Sequence, residues 1–155
     1  MPRELFSTLN LCRYAYLREI SEPADNQLRL LLEEATPARK LESVVVEGVK
    51  ISDLRALEST EFSRLFEVTW DSYIAYGVRN ESASTFDPYE IIESGRVACV
   101  YTTSRFLDYV ALSTTAAMPY RHIAMHCLNH IVDVVSVNLP VVRELRQHHS
   151  PHMVV

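Results

Sequence analysis

Residues 62–80 read FSRLFEVTWDSYIAYGVRN, and their alternation of apolar and polar side chains carries most weight in predicting the fold. One parity is apolar: Phe66, Val68, Trp70, Ile74, Tyr76 and Val78. A period of two residues predicts a β-strand with one buried face. Since strands seldom exceed about ten residues, we expect a bend or bulge at Asp71-Ser72. Trp70 is predicted to be buried against helices.

Three further strands are predicted around this long one. Leu28, Leu30 and Leu32 alternate with polar residues, which indicates a half-buried strand. Residues 44–51 are rich in β-branched side chains, which favour strands. Residues 96–103 form the fourth predicted strand, after a turn at Gly95.

Helices are predicted at both ends of the chain. Residues 5–20 carry apolar side chains at helical spacing and predict an amphipathic helix. Short helices are expected to begin at Asp87-Pro88 and at Pro140, and a further helix at Ser104. Residues 120–137 fit either a strand or a helix, and the helix misplaces fewer side chains.

These elements predict an α+β domain with a four-stranded antiparallel meander sheet. The N-terminal helix and the C-terminal helices are expected to pack on one face of that sheet. Residues 1–155 are expected to form a single domain, since this length is typical of one core. The tail from about residue 147 is predicted to be mobile.

Composition excludes several classes of function. The net charge is −5 at pH 7 and the basic residues are scattered, whereas nucleic-acid binders usually have a basic face. We therefore expect no nucleic-acid partner. The chain has three glycines, too dispersed for a phosphate-binding loop or a dinucleotide fingerprint. No cofactor is predicted.

The cellular location is predicted from the apolar stretches, the first residues and the cysteines. No stretch approaches the roughly 20 apolar residues that span a bilayer, and the first residues do not resemble a signal peptide, so no membrane association is expected. The three cysteines Cys12, Cys99 and Cys127 are widely spaced and odd in number, which indicates reduced, buried thiols. A soluble, cytoplasmic protein is predicted.

The histidines His122, His126 and His130 recur at intervals of four residues. On a helix, the first two could ligate one zinc ion. Further ligands are not evident, and on a strand the imidazoles would be roughly 13 Å apart. We predict no metal site, and interpret the row as a polar helix face.

A nucleophilic active site is not predicted either. Cys127 follows His126, but adjacent helix positions do not face each other. No Gly-x-Ser-x-Gly elbow occurs. The chain is therefore not expected to be an enzyme, and no catalytic residue is assigned.

The candidate binding residues lie at the ends of predicted strands, on the outer face of the long strand and on the predicted histidine helix. They are Tyr73, Arg79, Glu81, Arg105, His122 and His126. Arg105 and Asp108 are expected to face the histidines.

The favoured hypothesis is a non-enzymatic protein-interaction domain, of the kind found in immunity proteins and antitoxins. Its basis is the absence of catalytic motifs, together with an acidic surface that carries Tyr and Arg, the usual interface anchors. The alternative is a small-ligand-binding or hydrolytic enzyme with a pocket between the sheet and the histidine helix.

An outer sheet face is the predicted contact surface for a protein partner or a second copy. By parity it would collect a largely apolar set: Arg29, Leu31, Val44, Val46, Thr69, Tyr73, Ala75, Ala98 and Val100. An antiparallel sheet that faces water should alternate to polar residues, and uncovered apolar patches of this kind usually mark contact surfaces.

Overall fold

A computed structural model describes residues 2–146 of the chain, with side chains from Glu4 onward. Within this range, twelve strands form three antiparallel sheets. The helices are few: α1 (Pro2–Leu5), α2 (Arg105–Ser113), and two 3-10 turns at Leu9–Leu11 and Glu81–Ala83.

The first sheet contains five strands: β1 (Tyr14–Ser21), β2 (Leu28–Pro37), β5 (Leu57–Glu58), β6 (Leu65–Trp70) and β12 (Val141–Arg146). Their order is β1-β2-β6-β12, and β5 pairs with the end of β2. The register places Leu30 opposite Val68 and Leu28 opposite Trp70.

The second sheet also contains five strands: β7 (Ala75–Asn80), β8 (Ile91–Ser94), β9 (Ala98–Thr103), β10 (Arg121–His126) and β11 (His130–Ser136). Their order is β7-β11-β10-β9-β8. The third sheet is a hairpin of β3 (Glu42–Val46) and β4 (Val49–Leu54), which we call the arm.

One hydrophobic core joins the two large sheets. The first sheet contributes buried residues such as Leu30, Phe66 and Trp70, and the second contributes Ile123 and Val132. Alternate residues of β1, β2, β6, β9, β10 and β11 face this core. The opposite face of the second sheet carries α2, which contacts β10 and β11.

The predicted α+β fold is wrong, because residues 2–146 are mostly β and α2 is the longest helix among them. The predicted N-terminal helix over 5–20 is largely strand β1. There Ala15 and Leu17 are buried while Ile20 is exposed, so the burial has a period of two. Pairing with β2 overrides the helical spacing of the apolar residues.

The helix predicted over 120–137 is also wrong, because this segment forms the β10–β11 hairpin. Both strands are buried on both faces, with α2 covering the side that carries His122. A strand covered on both sides loses the alternation by which strands are recognised, and its pattern then resembles a buried helix.

The predicted long strand is two strands in different sheets. β6 ends at Trp70, and β7 begins at Ala75 in the second sheet. The expected bend at Asp71-Ser72 is the start of this crossing. Trp70 is buried as predicted, with 1% of its surface exposed, although it lies in the core between sheets rather than against helices.

Some of the other local predictions are confirmed and others are wrong. The strand beginning at Leu28, the strand ending at Thr103 and the helix capped by Ser104 are confirmed. Residues 44–51 belong to a hairpin, because Glu47 and Gly48 have φ values of 49° and 80° and form the turn that such hairpins favour. Asp87-Pro88 begins a turn, and Pro140 precedes β12 rather than a helix.

The predicted outer face is not one surface. Its members are distributed over all three sheets, and Ala98 and Val100 lie in the core. Residues 2–146 contain no helix that is long and apolar enough to cross a membrane. The predicted mobile tail from about residue 147 lies outside the described residues.

Candidate functional site

A chain of polar side chains runs through the second sheet beneath α2. Ser104 Oγ lies 2.7 Å from His122 Nδ1, and His122 Nε2 lies 2.9 Å from Asp133 Oδ1. Asp133 in turn accepts from Arg79, whose Nε is 3.0 Å from Oδ2 and whose Nη2 is 3.4 Å from Oδ1. Ser104, His122 and Asp133 are buried, whereas 46% of the Arg79 side chain is exposed.

The buried groups around His122 all find partners when its ring hydrogen is on Nε2. Ser104 is the N-cap of α2, and its Oγ accepts from the Leu107 amide at 3.0 Å. Its hydroxyl hydrogen is then free to be donated to Nδ1 of His122. With its hydrogen on Nε2, the imidazole donates to Asp133, so that each of these buried groups has a partner.

Asp133 is held as a carboxylate. Burial alone would raise its pKa, but the hydrogen bonds from His122 and Arg79 outweigh burial and lower the pKa below its ordinary value. The charge of Asp133 fixes the Arg79 guanidinium in a two-point contact. The chain of hydrogen bonds therefore begins inside the protein and ends at a positioned cation at the surface.

This arrangement contains the residue types of a Ser–His–Asp triad but differs from it in geometry. Triad serines are hydrogen-bonded to Nε2 and the aspartate to Nδ1, whereas here the two nitrogens are exchanged. Ser104 is fully buried and caps a helix. Its geometry suits support of the sheet and of Arg79 better than attack on a substrate.

A cleft opens above Arg79 and Asp133, between the second sheet, α2 and the loop 81–90. Its volume is about 450 Å³, within the range of about 300–1,000 Å³ that is typical of ligand pockets. The lining residues are Gly77, Val78, Arg79, Thr85, Asp87, Glu90, Arg105, Phe106, Tyr109 and Asp133.

One carboxylate in the cleft has no cation paired with it. Arg79 pairs with Asp133, and Arg105 Nε is 3.0 Å from Asp87 Oδ2. The Glu90 carboxylate takes part in none of the hydrogen bonds or ion pairs of residues 4–146. Burial raises the pKa of Glu90, and the nearby Arg79 guanidinium offsets this only in part. With every group ionised, the formal charge of the cleft is −1.

Two aromatic rings form the apolar wall of the cleft. Phe106 and Tyr109 stand one helical turn apart on α2, with their ring planes 13° from parallel and their centroids 6.1 Å apart. Phe106 also contacts the His122 ring edge-on, with 5.5 Å between the two ring centroids. The wall is thus anchored to the buried chain of hydrogen bonds.

A smaller adjoining pocket of about 230 Å³ shares Arg79, Asp87 and Glu90 with the cleft. Its inner end is formed by Tyr101 and His126, whose hydroxyl and Nε2 are 2.9 Å apart. Burial lowers the pKa of His126 and raises that of Tyr101. Both groups are therefore neutral near pH 7, and this end of the site is polar but uncharged.

The structure brings four of the six predicted binding residues together. Arg79 and Arg105 line the cleft, His126 lines the adjoining pocket, and His122 lies beneath Asp133. Tyr73 is in the β6–β7 loop, donates a hydrogen bond to Glu22 and lines a separate depression. Glu81 begins a 3-10 turn and borders another pocket.

Three residues that matter here were not predicted: Asp133, Glu90 and Ser104. Asp133 stands alone in the apolar run Ile131–Val135, a signal for a buried charge once that run is recognised as a strand. Ser104 was recognised only as a helix cap. Glu90 offered no signal, because its isolation depends on the folded positions of Arg79 and Asp87.

The candidate metal ligands of the sequence do not converge. His122 and His126 share a face of β10 but have different partners, Asp133 and Tyr101. Among residues 2–146, no three His, Cys, Asp or Glu side chains are grouped as metal ligands. The three cysteines are buried and unpaired, and burial raises the pKa of Cys99 to about 11, which makes it a poor nucleophile.

Comparisons of the chain with protein-family models, with curated proteins and with solved structures gave no significant match.

Proposed function

We propose that this protein binds a small organic cation in the cleft between the second sheet and α2. The observation that carries the proposal is the Glu90 carboxylate, which is half-buried, faces the cleft and has no hydrogen-bond or ion-pair partner. A ligand ammonium group would supply the missing counter-charge. Burying an unpaired charge is costly, so this position suits recognition better than stability.

The surroundings of Glu90 favour an amine with an apolar body. Phe106 and Tyr109 line the cleft, and aromatic rings attract cations as well as apolar groups. Arg79 uses Nε and Nη2 for Asp133, which leaves Nη1 to donate to an acceptor oxygen on the ligand. Because Arg79 is held from beneath, its ordering is complete before the ligand binds.

Benzylamine is a suitable first probe, with benzoate and benzyl alcohol as matched anionic and neutral compounds. We expect benzylamine to bind with a dissociation constant on the order of 1 mM, as for a fragment of this size. Amide NMR shifts should centre on Gly77, Glu90 and Phe106. Glu90→Gln should abolish them, whereas Glu93→Gln, at an exposed position, should not. Tighter binding of benzoate would contradict the proposal.

A second candidate is the protein-interaction role favoured by the sequence, of immunity or antitoxin type. Its support is the arm, which is exposed along its whole length and lies outside the cleft. For both candidates we propose a cytoplasmic location. The support is that the buried cysteines are not joined in disulfides. A direct test of that location is the thiol state of the protein when it is isolated under acid quench.

A further inference from the structure

The arm exposes apolar side chains that nothing in the described chain covers. Every residue of β3 and β4 is exposed. Directly opposed residues of an antiparallel pair point to the same side, so the register places Val44, Val46, Val49 and Ile51 on one face. We call these four residues the strip, and their exposed fractions run from 43% to 64%.

An isolated two-stranded hairpin is marginally stable in water and normally needs a further packing surface. The strip is the side of the arm best suited to receive it, because the opposite side carries Lys50 across from Val45. A row of four β-branched side chains is also complementary to a copy of itself, as an interface with twofold symmetry requires.

Charge identifies the occupant. The tip of the arm carries Glu47, and its base is flanked by Arg39, Lys40 and Arg55. Glu42 and Asp53 also lie near the base, which leaves a formal charge of +1 there. Glu47 gives −1 at the turn, and Lys50, one residue pair below the turn, lies on the side opposite the strip. None of these residues takes part in an ion pair within the described chain.

We propose that the strip packs against the strip of a second copy of this chain, with the two arms antiparallel. This arrangement brings Glu47 at the tip of each arm to the net positive base of the other. The contact is small compared with the roughly 800 Å² per partner of a standard interface. The dimer should therefore dissociate on dilution. The proposal uses no cleft residue and does not depend on the proposed ligand.

Sedimentation equilibrium of the full chain from micromolar to millimolar concentration tests the proposal. We expect a monomer–dimer equilibrium. Val46→Asp, on the strip, should weaken the dimer at least tenfold, whereas Val45→Asp, its neighbour on the opposite side, should change the constant less than threefold. Both positions are exposed, so neither substitution should impair folding.

The charge pairing has its own test in the same measurement. Glu47→Lys should weaken the dimer, and Lys40→Glu added to it should restore the affinity, because tip and base would again be opposite. A monomer at every concentration would overturn the proposal and leave a different protein as the occupant of the arm. A dimer that survives Val46→Asp, or that is not restored by the charge exchange, would overturn it as well.

Discussion

His122 and Asp133 lie on adjacent strands, and Nε2 of the imidazole is 2.9 Å from Oδ1 of the carboxylate in a buried environment. The two side chains are diagonal neighbours, because His122 pairs with Val135 and Asp133 pairs with Ala124. The same hairpin therefore provides both an anchor for Ser104, the N-cap of α2, and an anchor for Arg79, on β7. This contact links the helix to the cleft.

His122→Leu should destabilise the protein, because it leaves the Ser104 hydroxyl hydrogen and one hydrogen-bonding position of Asp133 without a partner. We expect a loss of about 1–3 kcal/mol for each group left unpaired, measured by urea unfolding. His130→Leu is the matched control, since the buried Nδ1 of His130 has no hydrogen bond to lose. Equal effects of the two substitutions would contradict the structural role given to His122.

The pairing of Asp133 with Arg79 should make stability depend on pH. The pKa of Asp133 is lower in the folded state than the value of about 3.9 that is usual for an unfolded chain. Its contribution is thus present above about pH 4 and is lost as the pH falls through the folded pKa.

Arg79→Met should reduce this contribution, so that the variant loses stability at pH 6 and differs less from the wild type near pH 3. Unfolding free energies measured across that range test the prediction. The control is Arg105→Met, which breaks an exposed ion pair with Asp87. If Arg105→Met has the larger effect at pH 6, the assignment is wrong.

Glu90 should have the opposite effect on stability. Burial raises its folded pKa, so the protein is stabilised by protonation of Glu90 at low pH and loses this contribution as the pH rises through the folded pKa. Glu90→Gln should therefore raise the melting temperature at pH 7 and leave it nearly unchanged near pH 3.

Calorimetry at the two pH values tests the effect of Glu90→Gln, with Glu93→Gln as the exposed control. Higher stability combined with loss of benzylamine binding is the exchange expected of a functional residue. A variant less stable than the wild type at pH 7 would show that Glu90 has a structural partner.

Trp70→Ala should be among the most destabilising single substitutions. Trp70 is 1% exposed in the core between the sheets, and such truncations cost about 3–5 kcal/mol. Phe86→Ala, at a position that is 89% exposed, should change the unfolding free energy little. A wild-type denaturant midpoint for Trp70→Ala would mean that the core is misassigned.

Removal of the arm should leave the rest of the fold intact. None of its residues is buried, and Glu42 lies directly opposite Leu54. Replacing residues 43–53 by Asn-Gly joins the two ends through a turn suited to hairpins. The shortened protein should unfold with an unchanged free energy. A cooperative loss of stability, seen in urea unfolding of dilute monomer, would show that the arm packs within the chain.

The sequence by itself determined the local elements whose burial has a simple period. Leu28, Leu30 and Leu32 predicted β2, the alternation up to Trp70 predicted β6 and the burial of its indole, and Ser104 predicted the start of α2. In each case one face meets the core and the other is more exposed, so the side-chain pattern records the structure directly.

Only the tertiary structure decided the fold class and the site. β10 and β11 are covered on both faces, so the residues of 120–137 carry no alternation that would favour a strand over a helix. The chain crosses from one sheet at Trp70 to the other at Ala75. The sequence does not predict this crossing, because the alternation of apolar and polar residues continues across it. The grouping of Arg79, Glu90 and Asp133 depends on which strands are neighbours and on where a loop folds back. Both depend on long-range packing, which the local spacing of residues does not predict.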